Sequence, residues 1–207
     1  MRVKLLYHTD IEALKRVLAQ RGVPFDPELL MDHVVYMFEI EDCSRVTTHQ
    51  LVRHRAASYD QESQRFSAAT KEGMVTPPNI QSSEAAYKAY DEALKVIYSS
   101  YDKMVAAGVP KEDARYILPS AIKTKLVMTL SARSLTHIVW QRTALQAQWE
   151  IRELAATLHN LAKEATPELW TKVIERYLWS RPSGLRASGG SSTRHRPLNR
   201  STGSRRQ

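Results

Sequence analysis

The sequence predicts an α+β fold in a single domain, from three observations. Stretches with strand-like and helix-like patterning alternate irregularly, without the regular βαβ rhythm of a parallel sheet. At 207 residues, 43% of them hydrophobic, the chain suits one domain with a sizeable core. No internal repeat divides it.

Val3 to His8 reads as a short strand. Thr9-x-x-Glu12 has the form of a capping box and opens a helix with Ile11, Leu14 and Leu18 on one face, closed by Gly22 and Pro24. Asp26-Pro27-Glu28 starts a second helix, with Pro where its missing N–H costs nothing. Val34 to Ile40 is β-branched and aromatic enough for a strand. From Cys43 to Arg55 a helix is expected, started by Asp42 or Ser44, with a narrow apolar face of Val46, Leu51 and Val52. On such a helix Gln50 and Arg53 share a face, whereas Arg53 and Arg55 point to nearly opposite sides and should serve different ligands.

Met74 to Ser83, with Pro77-Pro78, reads as a loop. The longest helix follows, Glu84 to Ala107, with Tyr87, Tyr90, Leu94, Ile97, Tyr101 and Met104 at helical spacing and Gly108 and Pro110 as its stop. That stripe is read as facing the core or another subunit rather than stacking on bases. Lys125 to Ser131 is a strand, Arg133 to Trp140 a short helix, and Ala147 to Lys163 an amphipathic helix with Ile151, Leu154, Leu158 and Leu161. Residues 1–179 form the expected domain. The remainder, 180–207, is rich in Arg, Ser and Gly, and should be a disordered tail.

That tail explains the formal charge of +8, because it holds seven arginines and no acid, leaving residues 1–179 near neutral. Nucleic acid is therefore expected as a partner only weakly, through the tail. One cysteine, Cys43, excludes an intrachain disulfide and a multi-cysteine metal site, and no metal is expected. Without a bilayer-length apolar run or a signal-peptide core, the chain is expected to be cytoplasmic, with no membrane partner.

Chemistry concentrates in RHRAASYDQESQR, where Arg53, His54, Arg55, Ser58, Ser63 and Arg65 fall within thirteen residues. Arginine forks match phosphate oxygens, and Arg with Ser is a common way to hold a phosphorylated ligand. R-H-R, then Ser, then S-x-R resembles the signature of the flavin-dependent thymidylate synthases, the ThyX family. Other blocks agree in order: Gln50 in HQLVRHR, EDAR-x-x-LP at Glu112 to Pro119, ARSL at Ala132 to Leu135 and AQWEIRE at Ala147 to Glu153. The similarity covers about Met1 to Ile174.

The resemblance implies a ThyX-like fold, a central sheet flanked by helices, and conversion of dUMP to dTMP. It implies FAD as cofactor, 5,10-methylenetetrahydrofolate as one-carbon donor, NADPH as reductant, and a homotetramer with active sites shared between subunits. By the same analogy Arg142, nine residues after Arg133 and five before AQWEIRE, is the essential arginine, serving catalysis and dUMP binding. Gln50, Leu51, Val52, Arg53, Gln61, Glu62, Ser63, Gln64, Arg65 and Arg115 would hold dUMP, with Ser63 and Arg65 on its phosphate. Arg53, His54, Arg55, Gln61, Ser131, Ala132, Arg133 and His137 would contact FAD. Gln148, Trp149 and Glu150 would pack and orient this wall.

Asp60, Phe66, Ser131 and His137 depart from the commonest family pattern, and a carboxylate at Asp60 opposes phosphate binding unless an arginine such as Arg55 faces it. Cys43, in EDCSR, is read as a small buried residue rather than a nucleophile, so uracil must be activated without a thiol. Two other readings stay open: a non-enzymatic nucleic-acid-binding protein, and an inactive relative of the family.

Overall fold

In the computed structural model, which describes residues 1–65 and 73–170, β1 (Arg2–His8), α1 (Ile11–Gln20), α2 (Pro27–Leu30), β2 (Val35–Ser44), α3 (Arg45–Leu51) and β3 (Ala57–Gln61) come first. After them come α4 (Pro78–Gln81), α5 (Glu84–Ala106), α6 (Lys111–Ala114), a 3-10 turn (Arg115–Ile117), β4 (Lys123–Ser131), α7 (Ala132–Arg142) and α8 (Trp149–Ala165). The strands make one antiparallel sheet in the order β1-β2-β4-β3, as an α+β chain requires. No described helix is long and apolar enough to cross a membrane. Phe66 and segment 180–207 lie outside the described residues.

The sheet forms because β2 and β4 alternate with period two. Tyr36, Phe38 and Ile40 of β2 point to one face, and their register partners Leu130, Met128 and Leu126 of β4 join them, all buried. Onto this face α8 lays Ile151, Leu154, Ala155, Leu158 and Ala162, and α7 adds Leu135 and Ile138. Each large side chain removed from water there contributes about 1.5–3 kcal/mol. Three of the residues expected on the α8 stripe are fully buried, and Leu161 packs at the margin. A smaller cluster gathers Leu94 and Tyr98 of α5 with Met74 and Ile122. The core-facing reading of the α5 stripe therefore holds for its middle, while Tyr87 stays exposed.

Three local expectations are corrected. Thr9 does not cap α1: it is still paired to the sheet, its hydroxyl accepting from Val35 N at 2.9 Å, so Asp10 caps instead, accepting from Ala13 N at 2.9 Å. The stretch 74–83 contains a single helical turn, α4, started by Pro77-Pro78. The helix expected over Cys43 to Arg55 is only Arg45–Leu51, because β2 runs on through Ser44. A bulge makes this possible. The register shifts between Ile40 and Cys43, Asp42 takes a left-handed φ of 59°, and Asp42 Oδ2 accepts from Arg2 Nε at 3.0 Å. Cys43 is thereby turned into the core, and Ser44 becomes the N-cap of α3.

The bulge is anchored by a buried carboxylate. Glu150, in the first turn of α8, accepts from Ser44 N at 2.7 Å and from the Ser44 hydroxyl, which itself accepts from Thr47 N. Gln148 caps α8, its side-chain oxygen accepting from Glu150 N and Ile151 N. Together these hydrogen bonds pin α8 to the β2–α3 junction. Replacing Glu150 with Ala leaves the Ser44 N–H buried without an acceptor and opens a void. A loss of roughly 2–4 kcal/mol in urea unfolding is expected, and Ser44→Ala should cost a comparable amount, because it takes a donor from the buried Glu150 carboxylate and the N-cap from α3.

Candidate functional site

α3 ends at Leu51 because the chain must turn into β3, and Tyr59 holds that turn: its hydroxyl lies 2.9 Å from Leu51 O and 3.0 Å from His54 O. Burial pushes the Tyr59 phenol up to about 12, so it stays protonated. Arg53, His54 and Arg55 therefore sit in a loop, not on a helix. Both arginines line one cavity, against the expectation that they face opposite ways.

The opposite wall is α7. Ser131 caps it, accepting from Ser134 N at 3.2 Å, and Ala132 N donates to Val34 O, so the start of α7 is fixed by the sheet. Helical spacing then puts Arg133, Ser134, His137, Ile138 and Gln141 along the cavity, with Leu135 and Thr136 turned into the core. The cavity is about 600 Å³, and its further lining is Asp32, Ala56, Ala57 and Arg142. Four arginines thus face one acid, Asp32, and Asp32 Oδ2 accepts from Arg133 Nε at 2.7 Å. The field inside favours an anion.

Arg142 closes the cavity. Its Nε donates to His54 Nε2 at 2.9 Å and one Nη to Gln50 O at 3.2 Å. An arginine can only donate, so His54 Nε2 must be the acceptor and its ring hydrogen sits on Nδ1. Burial first, then the charges of Arg142 and His137, push His54 down to about 4, which keeps the imidazole neutral near pH 7. His54 also meets His137 edge-on at 5.6 Å between ring centroids, and His137 stacks on Trp140 at 6.3 Å.

The other predicted residues lie elsewhere in the chain. β3 separates them, because Ala57 pairs with Leu130 at one end and Gln61 with Leu126 at the other, about 13 Å along the strand. At the far end Gln61 Nε2 bonds the hydroxyls of Thr48 and Thr124, and Ser63 Oγ accepts from Arg65 N. Arg65 pairs with Glu112 at 2.7 Å, and Arg115 Nε donates to Glu112 O at 3.0 Å. Arg45 joins them, donating to Glu62 O at 3.2 Å. Gln64 Nε2 is buried without a hydrogen-bond partner among the described residues.

Some assignments meet limits. The Leu51 and Ala132 side chains are fully buried in the core, so only their backbones can reach a ligand. Asp60 is exposed and makes no ion pair with Arg55 among the described residues. Asp32, Ser134, Gln141 and Arg45 were missed. The four-residue spacing from Arg133 through His137 to Gln141 is the signal that could have found Gln141, whereas Asp32 comes from a distant turn and carries none.

Comparison with known proteins places these features. The sequence model of the family described as thymidylate synthase complementing protein matches residues 10–168. The chain is 43% identical over 160 residues to a flavin-dependent thymidylate synthase of Pyrococcus furiosus, covering 74% of this chain and 64% of that protein. It is 43% identical over 148 residues to one of Sulfurisphaera tokodaii, covering 70% of this chain and 56% of that protein. The chain thus spans less than two thirds of the length of either relative. Its fold is similar, with a TM-score of 0.60, to the crystal structure of thymidylate synthase X from Helicobacter pylori with FAD and dUMP, at 20% identity over 83% of this chain and 97% of that one. With its motif blocks, its sheet and its match over residues 10–168 in agreement, the chain belongs to the flavin-dependent thymidylate synthase (ThyX) family.

Proposed function

We propose that this chain is a flavin-dependent thymidylate synthase acting in the cytoplasm, converting dUMP to dTMP with FAD, 5,10-methylenetetrahydrofolate and NADPH. One observation carries the reading: Arg142, His54 and the Gln50 carbonyl, from separate motif blocks, meet at one hydrogen-bonded point on the wall of an arginine-lined cavity. The cavity fits a flavin dinucleotide in kind. Its four guanidiniums suit a pyrophosphate, and the flat face of His137, backed by Trp140, suits an aromatic ring.

A flavin bound there by the arginines of the cavity would supply the redox chemistry that a methyl transfer to uracil needs. The chain's own residues bind, orient and stabilise charge. Arg142, held by His54 and Gln50 O through Nε and Nη2, presents its remaining donors toward a pyrimidine on which negative charge develops. A neutral His54 is what lets Arg142 stay in this pose, so His54 is a positioning residue. Ser63, Arg65 and Arg115 hold the phosphate of dUMP. No thiol takes part in this scheme: Cys43 is buried in the core, and burial, then the charge of Glu150, pushes its thiol up to about 12. The two residue groups at opposite ends of β3 support a homotetramer whose sites combine one group from each of two subunits.

The purified protein should be yellow, bleach with NADPH and change its visible spectrum with dUMP; a colourless protein with no dUMP response would overturn the reading. Arg142→Ala should cut kcat roughly a hundredfold or more while flavin absorbance stays. Arg65→Ala should mainly raise the KM for dUMP, by about tenfold or more.

Acid should act through His54. Protonation places a hydrogen on Nε2 against the Arg142 donor, so turnover should hold down to about pH 5 and fall near pH 4. Because His54 is shifted down from the ordinary 6.5, its stabilising contribution is complete above pH 6.5 and is lost as pH falls through the window from 6.5 to about 4. His159, lowered by burial and by Lys163, adds with the same sign. Thermal melting of His54→Gln between pH 7 and 4 should therefore show a shallower, not abolished, loss of Tm.

A further inference from the structure

The cluster beyond β3 holds three guanidiniums, those of Arg45, Arg65 and Arg115. Arg45 Nη2 reaches Glu62 O, while its Nε is buried with no hydrogen-bond partner among the described residues. Burial, and after it the charge of Arg115, weakens its hold on its proton, with the Glu62 carboxylate opposing. Arg115 Nε is engaged by the Glu112 backbone carbonyl at 3.0 Å. The Glu112 side chain is used differently: its Oε2 lies 2.7 Å from Arg65 Nη2, on the same arginine whose backbone N–H is turned toward Ser63 Oγ at 3.3 Å.

A carboxylate and a phosphate monoester offer an arginine the same pair of oxygens. We propose that Glu112 is a built-in competitor of the substrate phosphate, its carboxylate and the phosphate of dUMP exchanging on the Arg65 guanidinium. This rests on the assignment of Ser63, Arg65 and Arg115 to the dUMP phosphate. The pair is weak enough to be displaced, since the Arg65 and Glu112 side chains are 56% and 46% exposed. A dianionic phosphate adds what a carboxylate cannot: further oxygens for the Ser63 hydroxyl and for Arg115. Displacement needs only a side-chain rotation, because the Glu112 carbonyl stays on Arg115. The device discriminates by charge. A nucleoside without phosphate leaves Glu112 on Arg65, whereas the monophosphate removes it and engages Ser63 and Arg115 as well.

Calorimetric titration of the flavin-loaded protein with dUMP, deoxyuridine and inorganic phosphate tests this. Glu112→Gln keeps the shape and removes the charge, and should bind dUMP and inorganic phosphate roughly two- to fivefold more tightly, with deoxyuridine unchanged. Glu112→Asp, with the charge kept but drawn back by a methylene, should give a smaller gain in the same direction. Unchanged or weaker binding of both phosphate ligands by the folded variants overturns the proposal, because a carboxylate that merely props Arg65 in place would be missed rather than relieved. The dUMP assignment fails separately, if the unsubstituted protein binds dUMP no better than deoxyuridine. In that case, tightening of inorganic phosphate by Glu112→Gln still decides whether Glu112 competes.

Discussion

A single hydrogen bond, from Arg142 Nε to the neutral His54 Nε2, organises the cavity. It joins the last turn of α7 to the loop that leaves α3, two segments 88 residues apart in sequence. The bond exists only while the imidazole is unprotonated, and the protein secures this by burying the ring beside two cationic or potentially cationic neighbours. Tyr59 holds the same loop from below through the carbonyls of Leu51 and His54. A guanidinium clamped at two points loses little freedom when it engages a ligand, which is the condition for electrostatic stabilisation to be effective.

That clamp depends in turn on the β2–α3 junction. The left-handed Asp42 shifts the strand's phase by one residue, so that Cys43 enters the core and Ser44 is free to cap α3. Glu150 then fastens α8 to Ser44. Removing water from a carboxylate is costly, and the two donors of Ser44 are what offset it. The same bulge settles the status of the lone cysteine. In a strand, behind a carboxylate, the thiol is held protonated, and activation of a pyrimidine falls to guanidinium groups in the proposed reaction.

The two arginine groups differ in character. In the cavity Arg142 is braced by His54 and the Gln50 carbonyl and Arg133 by Asp32, while beyond β3 Arg65 is half exposed and paired with Glu112. The two groups are separated by the length of β3, about 13 Å along the strand. The proposed assembly combines one group from each of two subunits.

What the sequence determined by itself was whatever rests on local chemistry. The alternation of β2 and β4, the amphipathic face of α8 and the long α5 follow from periodicity, and the family follows from motif blocks whose residues are neighbours in the chain. The arginine and serine content of 53–65 pointed to anion binding, which the proposed function takes up. Tertiary structure decided the rest. The end of α3 was set by a bulge and by a tyrosine eight residues on, neither of which alters helix propensity at Val52 or Arg53. The strand Ala57–Gln61 was not anticipated, since Ser58 and Asp60 have little β preference and owe their conformation to pairing with β4. Likewise Asp32, Arg45 and Glu112 gain meaning only from the partners that folding brings to them, because an ion pair or an orphaned donor is a property of distance in space, which the order of residues does not encode.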